Sequence, residues 1–96
     1  MKVTWTHLAR LDVQIIYHMI LKNNQNAADS WLKEVEKTRL LIKDFPFSGK
    51  VIGGSKNEEI RQLLFGQYKM IYTIDDDVAT ILTVRHGSIP SSDFMK

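Results

Sequence analysis

The chain contains no cysteine. That absence excludes disulfide staples and thiolate metal sites, and it suits a reducing compartment. A long apolar run is missing too: nothing approaches the ~20 residues a membrane-crossing helix needs, and the opening MKVTWTHLAR has neither the apolar segment nor the small-residue cleavage site of a signal peptide. The expected location is the cytoplasm, with no membrane partner. Charge of one sign is scarce, since thirteen Lys and Arg against eleven Asp and Glu leave a formal +2. Such a balance does not by itself mark a nucleic-acid binder. No tract is low in complexity and no segment repeats. Its 96 residues are read as one domain, 1–96, with room for a single core. No cofactor or metal is expected.

What is present is concentrated between Ile60 and His86. Residues 60–65, 68–74 and 78–85 are rich in Ile, Leu, Val, Thr, Tyr and Phe and have strand length. Gly66-Gln67 supplies a turn residue that tolerates positive φ, and Asp75-Asp76-Asp77 supplies side chains that bond their own backbone. A three-stranded antiparallel meander is predicted. If the Asp75-Asp76-Asp77 loop has three residues, Tyr68, Met70, Tyr72, Ile74, Val78, Thr80, Leu82 and Val84 share an apolar face that carries the helices. Lys69, Ile71, Thr73, Ala79, Ile81, Thr83 and Arg85 then share the open face. Lys69 and Arg85 meet at one end of it and repel unless an anion sits between them.

Upstream, residues 1–5 alternate loosely and are read as a short strand. Thr6 is a candidate N-cap for a helix over 7–22, with Leu8, Leu11, Ile15 and Met19 at helical spacing and Ile16 widening the stripe. Asn23-Asn24 breaks it. Asn26 is the candidate cap of a second helix reaching Asp44, where Ala28, Val35 and Ile42 recur every seven residues beside Trp31, Leu32 and Thr38. Phe45-Pro46 ends that helix, because proline disfavours helical geometry in the residue before it. Residues 46–59 are read as a long irregular stretch, and the tail GSIPSSDFMK as one that frays unless something holds it. The resulting order is β-α-α-β-β-β, an α+β two-layer fold with a helical hairpin on one face of a mainly antiparallel sheet.

Several positions together carry a family resemblance. They are the opening VTW and Thr6 followed by Ala9 and Asp12, the FPFSG after the second helix, Arg61, the run Gly66-x-Tyr68-Lys69-Met70-Ile71-Tyr72, and Ile81-Leu82-Thr83-Val84-Arg85-His86-Gly87. In order and spacing the chain resembles a RelE/ParE superfamily toxin over nearly its whole length, nearest the ParE branch. The resemblance implies the toxic half of a bacterial type II toxin–antitoxin pair, neutralised in a hetero-oligomer by a cognate antitoxin that lays an extended or helical segment over it.

Two activities follow from that resemblance. RelE-like members cleave mRNA on the ribosome, and ParE-like members inhibit DNA gyrase. Metal-free RNA cleavage needs a group to activate the 2′-hydroxyl, cations for the phosphate and an acid for the leaving oxygen. Ile60 and Gln62 stand where the RelE-like lysines fall, Lys69 replaces an arginine, Gly87 falls at or near another, and Phe94 offers no hydroxyl. The ParE-like reading is therefore preferred, with the endoribonuclease and an inactive antitoxin-binding homologue as alternatives. Candidate catalytic residues, should the chain be a nuclease, are His86, Arg85, Lys69 and Arg61; the same four are candidates for contact with target or antitoxin. Each also has a structural reading. His86 at a strand end is more often a structural hydrogen-bonder than a catalyst, and Arg61 serves equally as the partner of a helix carboxylate such as Asp12 or Glu34. His7 and His18 are read as surface residues, Lys50 and Lys56 as solvated loop charges, and Tyr68 and Tyr72 as core aromatics with hydroxyls at the rim.

Overall fold

The structure is a computed structural model and describes residues 1–94. Its elements run β1 (Lys2–Trp5), α1 (His7–Leu21), α2 (Gln25–Asp44), a 3-10 turn (Pro46–Ser48), β2 (Lys50–Gly54), β3 (Glu59–Phe65), β4 (Tyr68–Asp75) and β5 (Val78–His86). The strands form one sheet in the order β1-β5-β4-β3-β2. All neighbours are antiparallel except β1, which runs parallel to β5. The two-layer α+β arrangement stands, with one strand more than the expected order. Part of the stretch read as irregular is β2, which pairs with β3 through a register shift between Val51 and Gly53 and turns at Gly54 with φ +117°. Glycines break the alternation that would have announced a strand there.

Both helices start where short polar side chains can cap them. The Thr6 hydroxyl accepts the Ala9 N–H at 3.1 Å. For α2 the cap is Asn24, whose Oδ1 accepts the Ala27 N–H at 3.0 Å, and not Asn26. The Asn23 and Asn24 amides both bond the Ile20 carbonyl at 3.0 Å, which closes α1 and leaves the Asn24 side chain free to open the next helix. The α2 stripe is buried as its spacing predicts, through Ala28, Trp31, Val35, Thr38 and Ile42, while Leu32 is only partly covered.

For α1 the expected face is wrong. Leu8, Ile15 and Met19 are 50%, 58% and 58% exposed, and the core takes Ala9 and Ile16 with Val13 and Ile20 beside them. Small Ala9 allows a close approach to β5, and that approach is bonded. The Thr6 N–H donates to the Ile81 carbonyl at 3.0 Å, the Thr6 hydroxyl donates to the Leu82 carbonyl at 2.8 Å, and Asp12 accepts from the Thr83 hydroxyl and, at 3.1 Å, from the Val84 N–H. These bonds fix which side of α1 faces inward.

The sheet register explains the remainder of the core. Asp75 pairs with Val78, so the loop has two residues, with Asp76 at φ +53°. Compared with a three-residue loop, this moves Ala79 and Ile81 to the helix face, where both are fully buried, and sends Val78, Thr80 and Leu82 to the other. Leu82 is then the extra residue of a bulge, after which Thr83, Val84, Arg85 and His86 face Ile71, Met70, Lys69 and Tyr68. The bulge restores Val84 to the core and Arg85 to the side of Lys69. Two deviations cancel over the second half of the strand.

Candidate interaction site

The four residues singled out by the sequence do not form one cluster. Arg61 lies on the helix face of β3, opposite Tyr72. Its Nη1 donates to the carbonyls of Phe47 at 3.1 Å and Gly49 at 2.6 Å, its Nη2 pairs with Glu59 at 2.8 Å, and its guanidinium stacks 5.1 Å from the Phe47 ring centre. Neither Asp12 nor Glu34 is its partner. The Tyr72 hydroxyl belongs to the same lock, donating to the Pro46 carbonyl at 2.6 Å and accepting the Gly49 N–H at 3.1 Å, deep inside the protein and not at a rim. A Cβ on Gly49 would stand 2.4 Å from that hydroxyl, which is why FPFSG needs its glycine.

Lys69 and Arg85 do sit side by side, in direct register on neighbouring strands. An anion sits with them. Arg85 grips Asp93 through two parallel bonds, Nη1–Oδ1 at 3.1 Å and Nη2–Oδ2 at 3.0 Å, and Nη1 also donates to the Pro90 carbonyl at 3.0 Å. Lys69, only 5% exposed, donates to the carbonyls of Ile89 at 2.5 Å and Gly87 at 3.5 Å. Burial, and then the Arg85 charge, pulls its ammonium below the ordinary lysine value, while Asp93 opposes the change. The tail is thus held, with Ser91 buried and its hydroxyl 3.4 Å from Gln62.

His86 stands at the strand end with its ring edge-on to Tyr68, centres 5.4 Å apart. Its Nδ1 accepts the Ser88 N–H at 3.1 Å and meets the Ser88 hydroxyl at 2.6 Å, an arrangement in which the imidazole proton resides on Nε2. The ring borders a groove of about 400 Å³ between α1 and the outer edge of β5, lined by Asp12, Ile15, Met19, Val84, Arg85, His86 and Ile89 among others. β1 pairs only with the first half of β5, so the edge beyond Ile81 is open apart from what Thr6 and Asp12 cover. The Val84 N–H points outward to Asp12, and the His86 N–H, two residues on, points the same way. The sequence reading noted each apolar residue that α1 contributes to this groove, but as part of the helix's core-facing stripe. The stripe Leu8, Leu11, Ile15 and Met19 is regular because it is a second apolar face, left for something other than the core.

The helical hairpin thus lies on one face of the sheet, and the amino-terminal edge strand runs parallel to the last strand. Among solved structures the fold is shared with the chromosomal ParDE system from P. aeruginosa, at a TM-score of 0.72 and 14% identity over 90% of this chain and 95% of that one. It is shared also with the archaeal RelE–RelB complex from Pyrococcus horikoshii OT3, at a TM-score of 0.57 and 14% identity over 93% of this chain and 97% of that one. No curated protein matches it in sequence. The family model for the ParE toxin of the type II toxin–antitoxin system parDE matches residues 3–90, and the chain belongs to that family.

Proposed function

We propose that this ParE-family toxin acts in the cytoplasm by binding, with DNA gyrase as its target, and that a cognate antitoxin silences it by lying in the α1–β5 groove. The observation that carries binding over cleavage is the separation of the candidate residues. Arg61 is tied to Phe47, Gly49 and Glu59 on the helix face of the sheet while Lys69 and Arg85 share the other face, so among the described residues the candidate cations do not converge on one substrate. General acid–base cleavage requires such convergence. The groove supports the antitoxin reading through its open strand edge beside an exposed apolar stripe, the pairing that an extended peptide with alternating apolar side chains completes.

The test has two arms. Purified toxin is expected to block supercoiling by gyrase in vitro and to arrest growth when induced, leaving transcripts intact. Primer extension that finds cuts at translated codons, with supercoiling unaffected, would replace this reading with the endoribonuclease. Co-expression with a cognate antitoxin is expected to restore growth and yield a co-purifying complex.

A further inference from the structure

Asp93, Pro90, Ile89 and Gly87 supply every polar partner found for the Lys69 and Arg85 side chains among the described residues. All belong to the terminal segment, and none to the sheet or helices that position the two cations. Phe94 completes the contact, with the Arg85 guanidinium 5.2 Å from its ring centre. Remove the segment in thought, and among the described residues an ammonium and a guanidinium fork remain in adjacent register without the groups that neutralise them. That is a formed site for a carboxylate beside an aromatic ring. The outer end of the segment is held through this one bidentate pair, and because the Asp93 side chain is 55% exposed, another carboxylate can reach and compete for the Arg85 fork.

We propose that residues 87–94 are a self-ligand: they fill an acidic-peptide site built by Lys69 and Arg85, and a protein partner presenting an acidic residue followed by an aromatic one exchanges with them. The idea does not depend on the identity of the target or the antitoxin. It makes the tail a competitor that sets the threshold for partner binding, since a site blocked by its own chain shows only the affinity left by the fraction of time it is open.

The probe is a fluorescein-labelled peptide of the tail's own sequence, GSIPSSDF, titrated into the full chain and followed by anisotropy. The D93N chain, whose latch is loosened while both cations remain, is expected to bind it about tenfold more tightly than the unaltered chain. A peptide with Asn in place of Asp is expected to bind neither, and R85Q introduced into D93N is expected to remove the gain. Equal binding to the D93N and unaltered chains, or indifference to the Asp in the peptide, overturns the proposal. Displacement by millimolar inorganic phosphate as effectively as by unlabelled peptide also overturns it, by assigning the site to phosphate. Hydrogen exchange provides a readout free of peptide: the Phe94 amide, which donates to Ser91 at 2.9 Å, should exchange faster in R85Q while amides of β4 and β5 are unchanged. Faster exchange across the whole sheet edge, to the same degree as in the tail, would refute local release of the segment.

Discussion

At the scale of single residues, the lock of Tyr72, Gly49 and Arg61 ties the end of the helical hairpin to the centre of the sheet. Tyr72 is fully buried, and its hydroxyl both donates and accepts, so Tyr72→Phe leaves the Gly49 N–H and the Pro46 carbonyl without their partner. The expected loss is about 1–3 kcal/mol. Gly49→Ala pushes a methyl to within 2.4 Å of the same hydroxyl, with an expected loss of about 1–3 kcal/mol through overpacking. Because Tyr72→Phe removes the atom that the methyl strikes, the double variant should lose clearly less than the two single losses added together. Urea unfolding of the four proteins checks this, and strict additivity would place the strain at the neighbours that Tyr72→Phe leaves in place, the Gln62 carbonyl at 2.9 Å and the ring Cε1 at 3.0 Å. The motif residues were visible in the sequence, but their reason was not. Gly49 and Tyr72 are distant in the chain, and only the assembled sheet brings them together.

At the scale of elements, α1 shows where periodicity stops being informative. Two apolar stripes run along it, Leu8-Leu11-Ile15-Met19 and Ala9-Val13-Ile16-Ile20, and hydrophobicity alone favours the bulkier one. Packing favours the other, because Thr6 and Asp12 must reach β5 and only a small residue at Ala9 lets the helix come close. Ile15→Asp and Met19→Asp are therefore surface changes in the free toxin, with stability within about 0.5 kcal/mol of the unaltered chain. With the antitoxin in the α1–β5 groove as proposed, they place a charge in an apolar interface, and antitoxin affinity should fall by tenfold or more. Calorimetric unfolding beside a titration of antitoxin separates the two effects. A large stability loss would mean the stripe belongs to the core. Asp12→Ala is the converse case: it strips the Val84 N–H and the Thr83 hydroxyl of their acceptor, and about 1–3 kcal/mol of stability should go with it.

At the scale of the whole molecule, the sequence disclosed the sheet's composition and the α+β layering but not its edges or its tail. The turn at Asp76 and the bulge at Leu82 each shift the register by one residue, and neither has a signature distinct from the strands around it. The tail read as polar and turn-rich because it is; what holds it lies on β4 and β5. That hold has a pH signature. The Asp93 carboxyl is kept below its ordinary range first by the hydrogen bond from Arg85, with slight burial opposing and the Arg85 charge adding to the effect. A carboxyl depressed in the folded state contributes its stability above the unfolded pKa and loses it as pH falls through the folded one. The latch is therefore intact at neutral pH and through mild acid, and opens only in strongly acidic solution, below the usual carboxylate range. Since Asp93 is exposed, the transition should appear locally: a fluorophore on residue 92 should report release of the tail while the circular dichroism of the helices holds constant. In D93N the fluorophore should already report the released state at neutral pH and show no acid step. An acid step of equal size in D93N would assign the pH response to another carboxylate and remove Asp93 from control of the tail.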